Sequence, residues 1–280
     1  MGVPSYREHF IESRKNYPYS GNIGLEDFYQ FRYSIYRPSH PHKGDPPLGF
    51  EFPNTFHEIL NNLSDTLSSE FDKLQETLKE ENFFISIKDF YHIEELENLA
   101  KALIPPVEQK LFGCYCVLEG CYLYRNIHAN IKAHSSWIPH SDNNPKEIIK
   151  IMVYSSDVLS EQDAPIFFLT KNGNAVKNKT TRVDLNNWKS PKNDSRFYDD
   201  DLRSYYNQGY SFTPILGSRG TVIVFDNNII HKASNPSHGR KRESIVFMIR
   251  PWKKKMETYI SQKTTGSFGD KTIFINPNTV

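Results

Sequence analysis

Three residues of this 280-residue chain have the types and spacing of a metal-binding set: His140 and Asp142 in the stretch WIPHSDNN, and His231 in NIIHKAS. In an extended segment, side chains at i and i+2 point to one face, so His140 and Asp142 can grip a single ion. His92 and Glu94 in YHIEELENL have the same spacing, but they open a helical pattern in which i and i+2 diverge, and they read as a helix start. Two imidazoles and one carboxylate on one face of a metal leave its other positions open, which is the donor set of mononuclear non-haem iron(II) oxygenases. Eleven positions after His231 stands Arg242, and Ser244 shares its face at the head of the apolar run Ile245 to Ile249. A planar guanidinium suits two-point binding of a carboxylate.

These residues need a scaffold, and the apolar pattern supplies two kinds. Phe56, Ile59, Leu60, Leu63, Leu67, Phe71, Leu74 and Leu78 recur at three- and four-residue steps, which predicts a long amphipathic helix behind Pro53-Asn54. A shorter helix is expected from Ile93 to Leu103, stopped by Pro105 and Pro106. Beyond residue 110 the pattern changes to short runs rich in β-branched and aromatic residues: FGCYCVLEG, CYLYRNIH, KEIIKIMVY, APIFFL, YSFTPI, GTVIVF, NIIHKAS and ESIVFMIRP. Such runs, with no helical pattern between them, predict an antiparallel sandwich or barrel with the helices outside it. WIPHSDNN is expected to end one of its strands.

The remaining segments carry less. SHPHKGDPP, with His40 and His42, reads as a Pro-flanked loop. Cys114, Cys116 and Cys121 form an odd set in a strand-like run and are expected to be reduced and buried rather than zinc ligands. The polar stretch from Lys171 to Ser211 is too long for a hairpin and is expected to be a lid or an excursion. A formal net charge of +1 gives no electrostatic reason to expect nucleic acid, and the run Lys253 to Lys255 reads as a solvated segment. No apolar run is long enough to span a bilayer and no leader is evident, so a cytoplasmic protein is expected.

From about Tyr122 to Trp252 the chain resembles the iron(II)/2-oxoglutarate-dependent dioxygenase superfamily, in its phytanoyl-CoA-hydroxylase-like and prolyl-hydroxylase-like branches. The likeness lies in the H-S-D of His140 to Asp142, in His231, and in the R-E-S of Arg242 to Ser244. It implies a mainly β fold with flanking helices, whose core is a double-stranded β-helix (a cupin-like jelly roll). The whole chain is then one domain. Residues 1–109 form an N-terminal loop and helical layer, 110–252 the core with the insertion 171–211, and 253–280 an extension.

The resemblance further implies that His140, Asp142 and His231 hold iron(II) as the catalytic centre. Arg242 then matches the arginine that anchors the distal carboxylate of 2-oxoglutarate, with Arg240 as the alternative and Ser244 completing the motif. Tyr154 matches a cosubstrate tyrosine, and Asn130 stands where the prolyl-hydroxylase-like branch has a second one. Trp137 matches an aromatic residue three positions before the first ligand. The expected reaction uses O2 and 2-oxoglutarate, releases succinate and carbon dioxide, and hydroxylates a small-molecule substrate. Asp142 argues against the halogenase variant, in which a small residue makes room for chloride. Trp137, Arg125 and His134 are substrate candidates, with the N-terminal segment and the insertion as the elements that choose the substrate. Two other readings stay open at this point: a cupin-like metal enzyme without 2-oxoglutarate, and a non-catalytic binding protein on the same barrel.

Overall fold

The computed structural model describes residues 6–38, 48–76, 84–87, 90–131, 135–178 and 195–261. His40, His42, His134 and residues 179–194 of the insertion lie outside them. In chain order the elements are α1 (Tyr6–Arg14), α2 (Leu25–Gln30), β1 (Tyr33–Tyr36), α3 (Phe56–Gln75), β2 (Phe84–Ile87), α4 (Glu94–Val107), β3 (Tyr115–Ile127), β4 (Ile149–Tyr154), β5 (Phe167–Lys171), β6 (Asn174–Ala175), α5 (Asp199–Asn207), β7 (Ser211–Pro214), β8 (Val222–Asp226), β9 (His231–Lys232) and β10 (Lys241–Trp252).

The strands form two antiparallel sheets. The larger has the order β1-β8-β4-β10-β3-β2; the smaller runs β6-β5-β7, with β9 also paired to β5. Strand alternation decides what each face does. On β4, Ile149, Ile151 and Val153 point to one side, and they join Leu123 of β3, Val222 and Val224 of β8, and Ile245, Phe247 and Ile249 of β10. Against this face pack Phe56, Leu60, Leu63, Leu67 and Phe71 of α3 with Leu96, Leu99 and Leu103 of α4. The opposite face presents Tyr124, Met152, Phe225, Val246 and Met248, which share a second core with Phe168 and Ile215 on the side of the smaller sheet.

Four local expectations change. FGCYCVLEG and CYLYRNIH are one strand, β3, which runs through Gly120. The second helix does not stop at Pro105; both prolines lie inside α4, and a π-helical turn, Glu108–Phe112, follows it. Each proline removes a helical N–H donor. Ile104, Val107, Leu111 and Phe112 are nonetheless fully buried on either side of the pair, and that burial holds the chain in its helical path. The N-terminal segment is not only loop and helix, because β1 pairs with β8 and β2 with β3 as the outer strands of the larger sheet. Finally, His140 does not end a regular strand; it sits in an isolated bridge.

The three cysteines are free and buried. Among the described residues, no helix is long and apolar enough to cross a membrane.

Candidate metal centre

His140 and His231 are brought together by their backbones. Each donates its peptide N–H to the other's carbonyl, at 2.8 and 2.9 Å. His231 begins β9, which β5 holds through the pair Phe168 and His231, so the smaller sheet fixes the position of both histidines. Asp142 follows at the same parity as His140, and its peptide N–H donates to the carbonyl of Asn227 at 3.0 Å, in the turn that follows β8. Sequence-distant segments therefore deliver the three side chains to one point. One ligand atom from each of His140, Asp142 and His231 lies within 4.8 Å of the others.

The two imidazoles adopt the same hydrogen-bonded arrangement. Nδ1 of His140 stands 2.8 Å from the carbonyl of Ile138, and Nδ1 of His231 stands 2.8 Å from that of Ile229. A carbonyl only accepts, so each Nδ1 carries the proton and each Nε2 keeps its lone pair. Those Nε2 atoms point toward Asp142: His140 Nε2 is 4.0 Å from Oδ1 and His231 Nε2 is 3.9 Å from Oδ2. Burial pushes the His231 pKa down to about 3, and the neighbouring His140 ring adds to the effect. Burial also lowers that of His140. Both rings are neutral at pH 7, as metal binding requires.

Asp142 is the complementary case. Burial alone would raise its pKa, but the Lys150 ammonium and the two imidazoles outweigh burial and bring it to about 2. Lys150 Nζ lies 2.6 Å from Asp142 Oδ2. Burial disfavours the ammonium, and Asp142 more than offsets this, so the lysine pKa is raised.

The three residues line a cavity of about 530 Å³ together with Tyr124, Lys150, Met152, Phe225 and Arg242, among others. Arg242 is 2 % exposed. Its Nη1 donates to the carbonyl of Ala164 at 2.7 Å and its Nη2 to Asn126 Oδ1 at 2.9 Å, while Tyr124 lies 5.7 Å below the guanidinium. Among the described residues Nε has no hydrogen-bond partner, and no carboxylate forms a salt bridge with this cation. A buried guanidinium without a counter-charge is costly, and a ligand carboxylate in the cavity would relieve it. Ser244 Oγ, also buried without a partner, stands two positions along the same face. The residues present therefore fit both groups that the motif implies: neutral Nε2 donors and an ionised carboxylate for a metal, and an uncompensated cation for an organic acid.

The other candidates lie elsewhere. Tyr154 is opposite Ser244 in register and donates its hydroxyl to the carbonyl of Ile215 at 2.8 Å; burial pushes its pKa up to about 12. Trp137 packs with Ala129 and Ala233 in a small cluster of its own. Asn130 is exposed. Arg240 is at the surface, 3.6 Å from Asp163. Arg125 projects from the helix-side face of β3, where Glu243 accepts from its Nε at 2.8 Å and Asp72 from its Nη1 at 2.6 Å.

Among the further lining residues that do not stand out in the sequence are Tyr124, Asn126 and Lys150. Parity is the signal that finds them. Tyr124 and Asn126 are the alternates of Arg125 on β3, and Lys150 is on the same face as Tyr154, in a strand whose other inward residue is Met152.

Comparison with solved structures agrees with this architecture. EctD from S. alaskensis, crystallised with 2-oxoglutarate and 5-hydroxyectoine, matches with a TM-score of 0.51 and 10% identity, over 91% of this chain and 90% of that one. HygX from Streptomyces hygroscopicus, with nickel and 2-oxoglutarate bound, gives 0.48 and 13% identity over 82% and 88%. SnoN, described as a non-heme alpha ketoglutarate dependent epimerase from nogalamycin biosynthesis, gives 0.49 and 11% identity over 81% and 82%. The EctD match shows that the fold is one used by a 2-oxoglutarate-binding protein. No protein-family model matches the chain, and no curated protein matches it.

Proposed function

We propose that this protein is an iron(II)- and 2-oxoglutarate-dependent dioxygenase that hydroxylates a small-molecule substrate. One observation carries the proposal: two neutral imidazoles and an ionised carboxylate converge on the same cavity as a buried arginine that has no carboxylate partner among the described residues. The donor set matches the facial arrangement that leaves positions open for a chelating cosubstrate and oxygen. With both groups bound, the centre supplies the oxidising chemistry that releases succinate and carbon dioxide and hydroxylates a C–H bond.

The chain's own contribution is placement. His140, Asp142 and His231 hold the metal. The carbonyls of Ile138 and Ile229 fix the two rings and keep Nε2 available. Arg242 takes the far carboxylate of 2-oxoglutarate, supported by Asn126 and by the face of Tyr124. Met152, Ile166, Phe225 and Val246 give the cavity an apolar wall that limits water. A small-molecule substrate suits a cavity of about 530 Å³, and EctD has been crystallised with one small organic molecule, 5-hydroxyectoine, beside 2-oxoglutarate.

The test is an anaerobic titration of the apoprotein with iron(II) and 2-oxoglutarate, followed through the weak visible charge-transfer band of the chelated cosubstrate. The band should appear for the wild type and vanish at the same concentrations for Arg242→Met. Iron binding without the band would favour a metal enzyme that does not use 2-oxoglutarate, and no iron binding would remove both.

A further inference from the structure

Lys150 is an unusual residue for its position. It lies on a central strand between β8 and β10, opposite Phe225 and Met248, and it faces inward in a row completed by Met152 and Tyr154. An ammonium in such a place loses hydration that only paired charge and hydrogen bonds restore. It carries three N–H donors. Asp142 Oδ2 accepts one of them at 2.6 Å, and the Phe225 ring, 5.9 Å away, offers only its face.

The charges in the cavity say what is missing. Among the described residues its lining holds one carboxylate, Asp142, beside the cations Lys150 and Arg242. A divalent metal on Asp142 would draw on the same carboxylate that Lys150 uses and add two positive charges. Lys150 then stands beside the metal with donors to spare and less negative charge to face. Arg242 stands on β10 six residues before Met248, the register partner of Lys150, and lines the same cavity.

Building on the function just proposed, we infer that Lys150 is a second anion anchor, at the metal end of the cavity. It holds Asp142 through one N–H, so that the carboxylate meets the metal from a fixed direction, and turns its other donors to the carboxylate of the ligand bound beside the metal. A dicarboxylate is then held at both ends, by Arg242 far from the metal and by Lys150 near it.

The experiment uses zinc-loaded protein, which binds ligands without turnover. 2-Oxoglutarate is titrated calorimetrically into the wild type, Lys150→Met and Lys150→Arg, and zinc affinity is measured separately on each apoprotein. Loss of a charge-assisted contact should weaken 2-oxoglutarate binding to Lys150→Met at least about tenfold, with Lys150→Arg keeping most of it. Zinc affinity should change less than 2-oxoglutarate affinity. Unchanged 2-oxoglutarate binding by Lys150→Met overturns the inference. So does a loss confined to zinc, which would make Lys150 a support for Asp142 alone. If Lys150→Met does not fold, Lys150→Gln is compared with the wild type on the same two affinities. If the zinc-loaded wild type binds no 2-oxoglutarate, the dioxygenase proposal fails, and oxalate becomes the probe: tighter binding by the wild type than by Lys150→Met upholds the anchor, and equal binding overturns it.

Discussion

His140 and His231 exchange peptide hydrogen bonds at 2.8 and 2.9 Å while their rings stand 4.3 Å apart, centroid to centroid, so the backbone that joins the two segments also sets the imidazole pair. The pairing of the segments does not depend on either imidazole. That separation makes the ligand role testable without unfolding the site.

Replacing His231 by Gln should leave the bridge to His140 and the pairing with β5 in place, because both are made by peptide groups. Metal affinity should fall by more than about 100-fold, beyond the range expected when only a supporting contact is lost. A competition titration with cobalt(II) reads the affinity, and a thermal melt of the apoprotein should stay close to that of the wild type. Wild-type cobalt affinity would remove His231 from the ligand set.

Much of this site is legible in the amino-acid sequence. His140, Asp142, His231 and Arg242 stand out because a metal and a carboxylate each demand particular residue types at particular spacings, and two-residue parity groups His140 with Asp142 and Arg242 with Ser244. The α3 helix is legible for the same reason, as its buried residues follow the helical period. Lys150 is hidden because a lysine in an apolar run looks like a solvated position until its partner, eight residues earlier in the chain, is seen across the cavity. The strands β1 and β2 are hidden because four-residue strands show too little alternation to distinguish them from loop. The helix through Pro105 and Pro106 departs from expectation because a local rule meets tertiary burial, and burial wins.

Arg125 illustrates what one residue of register does. Its neighbours Tyr124 and Asn126 line the cavity, yet Arg125 faces α3 and is 1 % exposed, with Glu243 and Asp72 as its carboxylate partners. Arg125→Met would strand the Glu243 carboxylate, which is itself buried. Lys241, 3.0 Å from that carboxylate, would recover part of the loss. The expected cost is about 3 kcal/mol in urea denaturation, the lower end for breaking a buried pair. Cobalt and 2-oxoglutarate affinities of the folded variant should match the wild type. A selective loss of 2-oxoglutarate binding, with stability intact, would instead place Arg125 at the site.

The C-terminal segment offers a pH-dependent test that is independent of the metal centre. Glu108 lies in the π-helical turn after α4, buried, where it accepts the peptide N–H of Cys116 at 2.7 Å and the hydroxyl of Tyr259 at 3.2 Å. Burial raises its pKa to about 7, from the ordinary value of 4.5, against the lowering effect of those two hydrogen bonds. The folded state therefore holds a proton that the unfolded state releases between pH 4.5 and 7. Stability from this group is fully present below the unfolded value and is lost as pH rises through the folded one, on the order of 3 kcal/mol in all. Glu108→Gln keeps the shape and an acceptor oxygen but cannot ionise. The buried imidazoles His9, His140 and His231 add stability with rising pH equally in both proteins, so the wild type should lose stability relative to Glu108→Gln as pH rises from 5 to 8. Parallel pH profiles in the two proteins would show that Glu108 is not the group responsible.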